Sequence, residues 1–256
     1  MRSNKSLFCL FFVVTFIFIF TQAQPSRAQI PGMFKLYGEF KMPKVGAYAT
    51  YKVTHTDSKA ERIVKLAIVG KEKSEGGGQK IYGEGETKKI EEGGDIQKIS
   101  APKGENLYWY EVEETDPKTG AVTIIKMLIS GNPQEIGTIR RMIMKSGKDK
   151  ATELPPQLMQ MINQPLPETT KVEQPKVKNL GTEKVKIKDK TLKCDHLQYI
   201  SKDKATAEAW TNAEVPLFGL VKSISPESIT ELIEYGTDAK SAITEKPEVL
   251  EMPGLK

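Results

Sequence analysis

The chain has 256 residues, a formal charge of +5 and 38% apolar residues, with lysines and glutamates interspersed. This balance excludes overall disorder and argues against nucleic-acid binding as the main role, which calls for a concentrated basic patch. Six of the nine phenylalanines (Phe8, Phe11, Phe12, Phe16, Phe18 and Phe20) fall within the first twenty residues, so one segment inflates the apolar total.

That segment opens with Arg2 and Lys5 and continues as an apolar run over residues 7–20, broken only by Thr15. At 14 residues the run is short for a bilayer span and has the form of a secretory signal peptide. Residues 1–23 are read as that peptide, cleaved after Ala23 or after Ala28, with an uncleaved anchor as the alternative. Cys9 lies inside the run and is not placed for lipid attachment. Cleavage leaves 36 basic and 33 acidic residues, a charge of +3, and Cys194 as the single cysteine. No internal disulfide can then form, so stability must come from packing. A periplasmic location fits such a chain, with secretion as the alternative, and any membrane contact is expected to be at most peripheral.

Residues 24–46 are punctuated by Pro25, Pro31, Gly32, Pro43 and Gly46 and read as an irregular lead-in. In 47–55, Ala49, Tyr51 and Val53 alternate with Thr50, Lys52 and Thr54, the period of a half-buried strand. Residues 62–69 are apolar on both faces and predict a more central strand. Glycine, lysine and glutamate fill 22 of the 35 positions in 71–105, which therefore reads as an insertion with little to bury. Residues 107–114 and 121–129 flank Asp116-Pro117-Lys118-Thr119-Gly120 and predict a hairpin.

Asn132-Pro133-Gln134-Glu135 has the pattern of a helix start, leaving 136–144 open between helix and strand. Residues 155–163 predict a short helix, and Pro165, Pro167 and Pro175 then mark a linker. Strands are expected at 183–187, 191–201, 205–211 and 229–235, and 237–256 reads as a polar tail. About eight strands and two helical segments, with the helices grouped mid-chain, argue for an α+β, mainly β fold: an antiparallel sheet with short helices on one face.

Few residues offer chemistry. Cys194 and His196 share a face of their strand and read either as a thiolate–imidazole pair or partial metal site, or as a buried thiol beside an ordinary histidine. No nucleophile elbow, phosphate-binding loop or paired carboxylates are seen, so no enzyme, metal or cofactor is expected. Glu111, Glu113 and Glu114 are placed on the solvent side and at the end of a hairpin strand. Lys184, Lys186, Lys188 and Lys190 repeat with period two. They suit contact with anionic headgroups or an acidic partner, or a lysine-guarded sheet edge. Met142, Met144, Met159 and Met161 suit a lid over an apolar groove or ordinary core filling.

The order Gly181-Thr182-Glu183-Lys184-Val185, Cys194-Asp195-His196-Leu197, Ala209-Trp210-Thr211, Val215-Pro216-Leu217-Phe218-Gly219-Leu220-Val221-Lys222 and Glu231-Leu232-Ile233-Glu234-Tyr235-Gly236 resembles the closing strands of exported bacterial proteins of the outer-membrane lipoprotein-sorting (LolA/LolB-like) class. Residues 46–53 and 107–114 fit its opening and central strands. The resemblance covers about two thirds of the mature chain and implies one domain over 47–236. It also implies a curved antiparallel sheet, an incomplete β-barrel, with short helices on its concave face and a hydrophobic groove between. The carriers' functional arginine and protruding loop leucine have no counterpart here, and the 71–105 insertion departs from the pattern.

On that reading the protein binds lipid or lipoprotein acyl chains as a carrier or chaperone. Its groove is expected to be lined by Tyr51, Val53, Leu66, Trp109 and Ile125, with Met159 and Met161 in the lid. The other expectation is a non-enzymatic protein-binding or sensory module of the envelope on the same scaffold, without lipid cargo. Nucleic acid is expected as a partner on neither reading.

Overall fold

The computed structural model describes residues 44–74, 104–130, 139–163, 175–201 and 206–250. The expected signal peptide, nearly all of the lead-in, most of the 71–105 insertion and the helix start at 132–135 lie outside these residues. Among the described residues no helix is long and apolar enough to cross a membrane.

The fold is mainly β, one open, curved sheet. In chain order its elements are β1 (Tyr48–His55), β2 (Glu61–Lys73), β3 (Asn106–Thr115), β4 (Val122–Ser130), β5 (Ile139–Ser146), β6 (Thr152–Glu153), α1 (Pro156–Ile162), β7 (Lys176–Ile187), β8 (Lys190–Ile200), β9 (Thr206–Thr211), β10 (Leu220–Ile224), β11 (Ser228–Gly236) and β12 (Glu248–Val249). The sheet order is β12-β6-β5-β4-β3-β2-β1-β11-β10-β9-β8-β7. Two antiparallel meanders, β1–β6 and β7–β11, therefore meet at the β1·β11 pair, and β12 adds in parallel to β6. From Ile139 onward the stretch left open between helix and strand is strand β5. Two further strands, β6 and β12, have only two residues each.

Strand alternation divides the core into two clusters. On one face Ala49, Tyr51, Ile68, Tyr108, Tyr110, Ile125, Ile129 and Met142 pack together, with Leu66 and Met127 partly buried beside them. The helix contributes Met159 to this cluster, and the β9–β10 loop contributes Val215 and Leu217. On the opposite face of β3–β5, Leu107, Trp109, Ile124, Leu128 and Ile143 form a second cluster, closed by Ile243 from beyond β11. Residues 107–110 are consequently buried without alternation.

The segment after β11 is thus a strap and not a free polar tail. Its anchor is Glu111, which is 4% exposed and not on the solvent side expected for it. Ser241 Oγ donates to Glu111 Oε2 at 2.6 Å, and the Ala242 N–H donates to Oε1 at 2.8 Å. Lys126 Nζ donates to Ser241 Oγ at 3.0 Å. A buried carboxylate is tolerable because these charge-assisted bonds replace its water shell. The strap then pairs with the edge: the Glu248 N–H donates to Ala151 O and the Leu250 N–H to Glu153 O, each at 2.9 Å. Removing Ile243 beyond Cβ leaves a cavity, so Ile243→Ala is expected to cost about 2–5 kcal/mol. Glu111→Ala is expected to cost about 1–3 kcal/mol, because it removes the acceptor of the Ala242 N–H and of the Ser241 hydroxyl. Urea denaturation of both variants measures these losses.

Candidate functional site

Two places in the sheet gather residues that could carry function. The first is the apolar cluster that α1 joins through Met159. The helix begins on Pro155-Pro156, where proline's fixed φ suits the first turn, and no side chain caps its N-terminus. Its other end is tied to β5 by Asn163, whose Oδ1 accepts from the Ile139 N–H at 3.0 Å while Nδ2 donates to Ile139 O at 2.6 Å. Met159 is buried, and Leu158 and Ile162 pack against the same cluster. Tyr51 donates its hydroxyl to Leu220 O at 3.2 Å, and burial pushes its phenol above the ordinary range.

Four of the seven expected groove residues, Tyr51, Leu66, Ile125 and Met159, meet in this cluster. Val53 is in phase with Tyr51 but only half-buried near the strand end, outside both clusters. Trp109 and Met161 do not join it. Trp109 opposes Leu128, whereas Tyr110 opposes Met127, so Trp109 points to the strap side of the sheet. There Lys126 Nζ and Arg141 Cζ each sit 5.2 Å from its ring centroid, and its indole N–H donates to Glu72 at 2.7 Å. Met161 lies two residues past Met159, about 200° around the helix at 3.6 residues per turn, and is 65% exposed.

The second place is a polar clasp across β7, β8 and β9. The register sets Glu183 opposite Cys194, and His196 opposite Trp210. Side chains two residues apart share a face, so Glu183, Cys194, His196, Glu208 and Trp210 all project to one side. His196 Nδ1 lies 2.8 Å from Glu183 Oε1 and Nε2 lies 3.1 Å from Glu208 Oε2. The Trp210 indole N–H donates to Glu183 Oε2 at 2.8 Å. The imidazole stacks on the indole with centroids 4.2 Å apart and planes 17° from parallel. Lys222 Nζ covers the same indole, 5.6 Å from its centroid.

Hydrogen bonds from Trp210 first and His196 second hold the Glu183 carboxyl below its ordinary value of 4.5. Both ring nitrogens of His196 face carboxylates, so the imidazole is not turned to Cys194. The thiol instead lies 3.7 Å from Leu192 O, fully buried, and burial pushes it up to about 11. A thiol in that state carries almost no thiolate at neutral pH and is a poor nucleophile. The thiolate–imidazole pair is therefore not formed, and Cys194 packs as a small apolar residue. Among the described residues no three His, Cys, Asp or Glu side chains are placed to hold a metal ion.

Cys194 and His196 are visible as a pair in the sequence. Glu183, Glu208 and Trp210 are not, because cross-strand register and not local spacing unites them. The signal available in retrospect is one polar residue per strand at matched phase.

No protein-family model matches the chain, and no curated protein matches it.

Two outcomes follow from the clasp. A folded-state carboxyl held below 4.5 contributes stability that is complete above that value and is lost as pH falls through the folded pKa. In a Trp109→Phe background, Trp210 emission is expected to change as pH drops below the ordinary carboxyl range, and Glu183→Gln to remove that step. Iodoacetamide at pH 8 is expected to alkylate Cys194 only after denaturation, as read by mass spectrometry.

Proposed function

We propose that the protein is an exported, non-enzymatic carrier or chaperone for lipid or lipoprotein acyl chains, working in the periplasm on a half-barrel scaffold of the lipoprotein-sorting (LolA/LolB-like) kind. The observation that carries this reading is the apolar face of one open sheet, on which, among the described residues, the seven-residue helix α1 packs through Met159. The closing-strand resemblance and the signal-peptide pattern of residues 1–23 support it.

In this reading α1 is a displaceable lid and the sheet face beneath it is the groove. Tyr51, Leu66 and Ile125 line the face, and Met159 occupies the space an acyl chain takes. Met159 suits such a plug, since an unbranched thioether repacks on varied apolar surfaces. Lifting a buried Met159 and two partly buried neighbours exposes side chains worth up to about 1.5–3 kcal/mol each, roughly 5 kcal/mol in all. An acyl chain returns about 0.8 kcal/mol per buried methylene. Chains of about six methylenes therefore only offset the lid, and longer chains bind with a surplus.

The test is thermal stabilisation by a series of lysophospholipids. A tetradecanoyl chain is expected to raise the melting temperature and a hexanoyl chain to leave it unchanged. Met159→Ala lowers the melting temperature of the free protein. It is expected to tighten tetradecanoyl binding at least tenfold, about 1.4 kcal/mol, because less of the lid must be displaced. Failure of every chain length to stabilise the protein, with no lipid retained on native mass spectrometry, overturns the reading.

A further inference from the structure

β7 is the outermost strand at its end of the sheet and, among the described residues, pairs on one side only, with β8. Almost every residue from Lys176 to Lys186 is exposed, including Val177 at 57% and Leu180 at 39%. A strand so placed presents a row of outward N–H and C=O groups, a ready template for another strand.

Two features separate β7 from an idle edge. The first is that the clasp ties it to β8 and β9. Glu183, its single acid, spends one carboxylate oxygen on His196 and the other on Trp210. That carboxylate is engaged by partners on β8 and β9, and Lys176, Lys178, Lys184 and Lys186 outnumber it along the strand.

The second feature is the phase of those lysines. Lys184 opposes Lys193 and Lys186 opposes Thr191, on the face away from Glu183. The register then shifts between Asn179 and Gly181. Gly181 has φ +113°, and its N–H donates to Asn179 Oδ1 at 2.8 Å, which fixes the bulge. Beyond it, Lys178 opposes Gln198 and Lys176 opposes Ile200, on the same face as Glu183. One irregularity thus puts cations on both faces of a single edge.

A planar anionic membrane would meet one face of this arrangement. An added strand alternates its side chains between both faces. A second copy of β7 would set lysines against lysines, which is unfavourable across a strand pair. We propose that the outer edge of β7 is a docking site for an extended acidic segment of another protein, which joins the sheet as a further strand. Backbone bonds supply the binding, and the four lysines select for carboxylates. Edge lysines ordinarily discourage pairing; here they reject neutral and basic strands and admit acidic ones. This surface is independent of the acyl-chain groove.

The experiment titrates a fluorescein-labelled peptide of alternating glutamate and valine into the purified protein at low salt. A matched lysine–valine peptide and phosphatidylglycerol vesicles are the other probes. Expected are binding of the acidic peptide alone and slowed hydrogen exchange at alternate amides of β7. The dissociation constant should rise at least tenfold in Lys184→Glu/Lys186→Glu and again in Lys176→Glu/Lys178→Glu, one pair from each face. All four positions are exposed, and the exchange measurement on the unaltered protein stands even if a variant fails to fold. The proposal is overturned if the acidic peptide does not bind, if neither charge reversal weakens it, or if β7 amides are not slowed. Binding to vesicles in place of the peptide overturns it too, and assigns the lysines to a lipid surface.

Discussion

The pairing of β1 with β11 makes one sheet out of two meanders. Eight residues of β1, from Tyr48 opposite Gly236 to His55 opposite Ser228, bridge segments about 180 positions apart in sequence. Sequence-distant contact of this kind carries a large loop-closure cost and must be specified closely. Gly236 is part of that specification: a Cβ there would stand 2.6 Å from Tyr48 Cε1. The tyrosine instead lies across the glycine and donates to Glu234 Oε1 at 2.9 Å. Gly46, at φ +92°, turns the chain into β1 where any Cβ would collide with the Thr237 carbonyl. Both glycines sit at the seam, one on each chain segment; a side chain at Gly46 would have to displace backbone, and one at Gly236 the Tyr48 ring.

From this seam the two meanders diverge in how they are stabilised. Strands β3–β5 are buried on both sides, by α1 and its neighbours on one face and by the Ser241–Ile243 strap on the other. Apolar burial dominates there, and the polar groups admitted, Glu111 and Ser130, are among the few buried ones. At the other end β7 has one well-buried residue, Ile187, at its hairpin tip. An edge with so little apolar surface cannot be held by burial and depends on directed bonds. The His196–Glu183–Trp210 clasp supplies them at mid-strand, and the Lys188–Glu234 ion pair at 3.5 Å adds a weak exposed contact at the tip.

Local alternation made most of the strands legible. Residues 47–55, 107–114 and 121–129 match β1, β3 and β4 within one or two positions, and 155–163 contains α1. Three features were hidden for physical reasons. Lys176–Thr182 looks like linker because a proline precedes it and its only burial is against a neighbouring strand, so no apolar period marks it. Leu220–Ile224 is too short, after Gly219, to show a period at all. The strap is polar by composition and is anchored by the buried Glu111 carboxylate, whose own placement looks like a solvent-facing strand position in isolation. The same limit applies to the clasp. Cys194-Asp195-His196 advertises a local pair, but the partners that decide the imidazole's role come from β7 and β9, and the local pair does not form.

Trp109 and Trp210 show how one residue type is used in both regimes. Each indole N–H donates to a glutamate, Glu72 or Glu183, and each ring carries a cation, so neither rests on apolar packing alone. Around Trp109 the cations Lys126 and Arg141 are themselves tied, Lys126 to the strap and Arg141 to Glu153 by two bonds at 2.7 and 3.0 Å. That network ties the strap and β6 to the face opposite α1. Around Trp210 the ring is shared between Lys222 and His196, and the carboxylate it anchors belongs to the bare edge strand. The two tryptophans thus lie on either side of the β1·β11 seam, Trp109 on β3 and Trp210 on β9. On the face opposite Trp109, α1 is held against β5 by the burial of Met159 and by the two Asn163–Ile139 bonds.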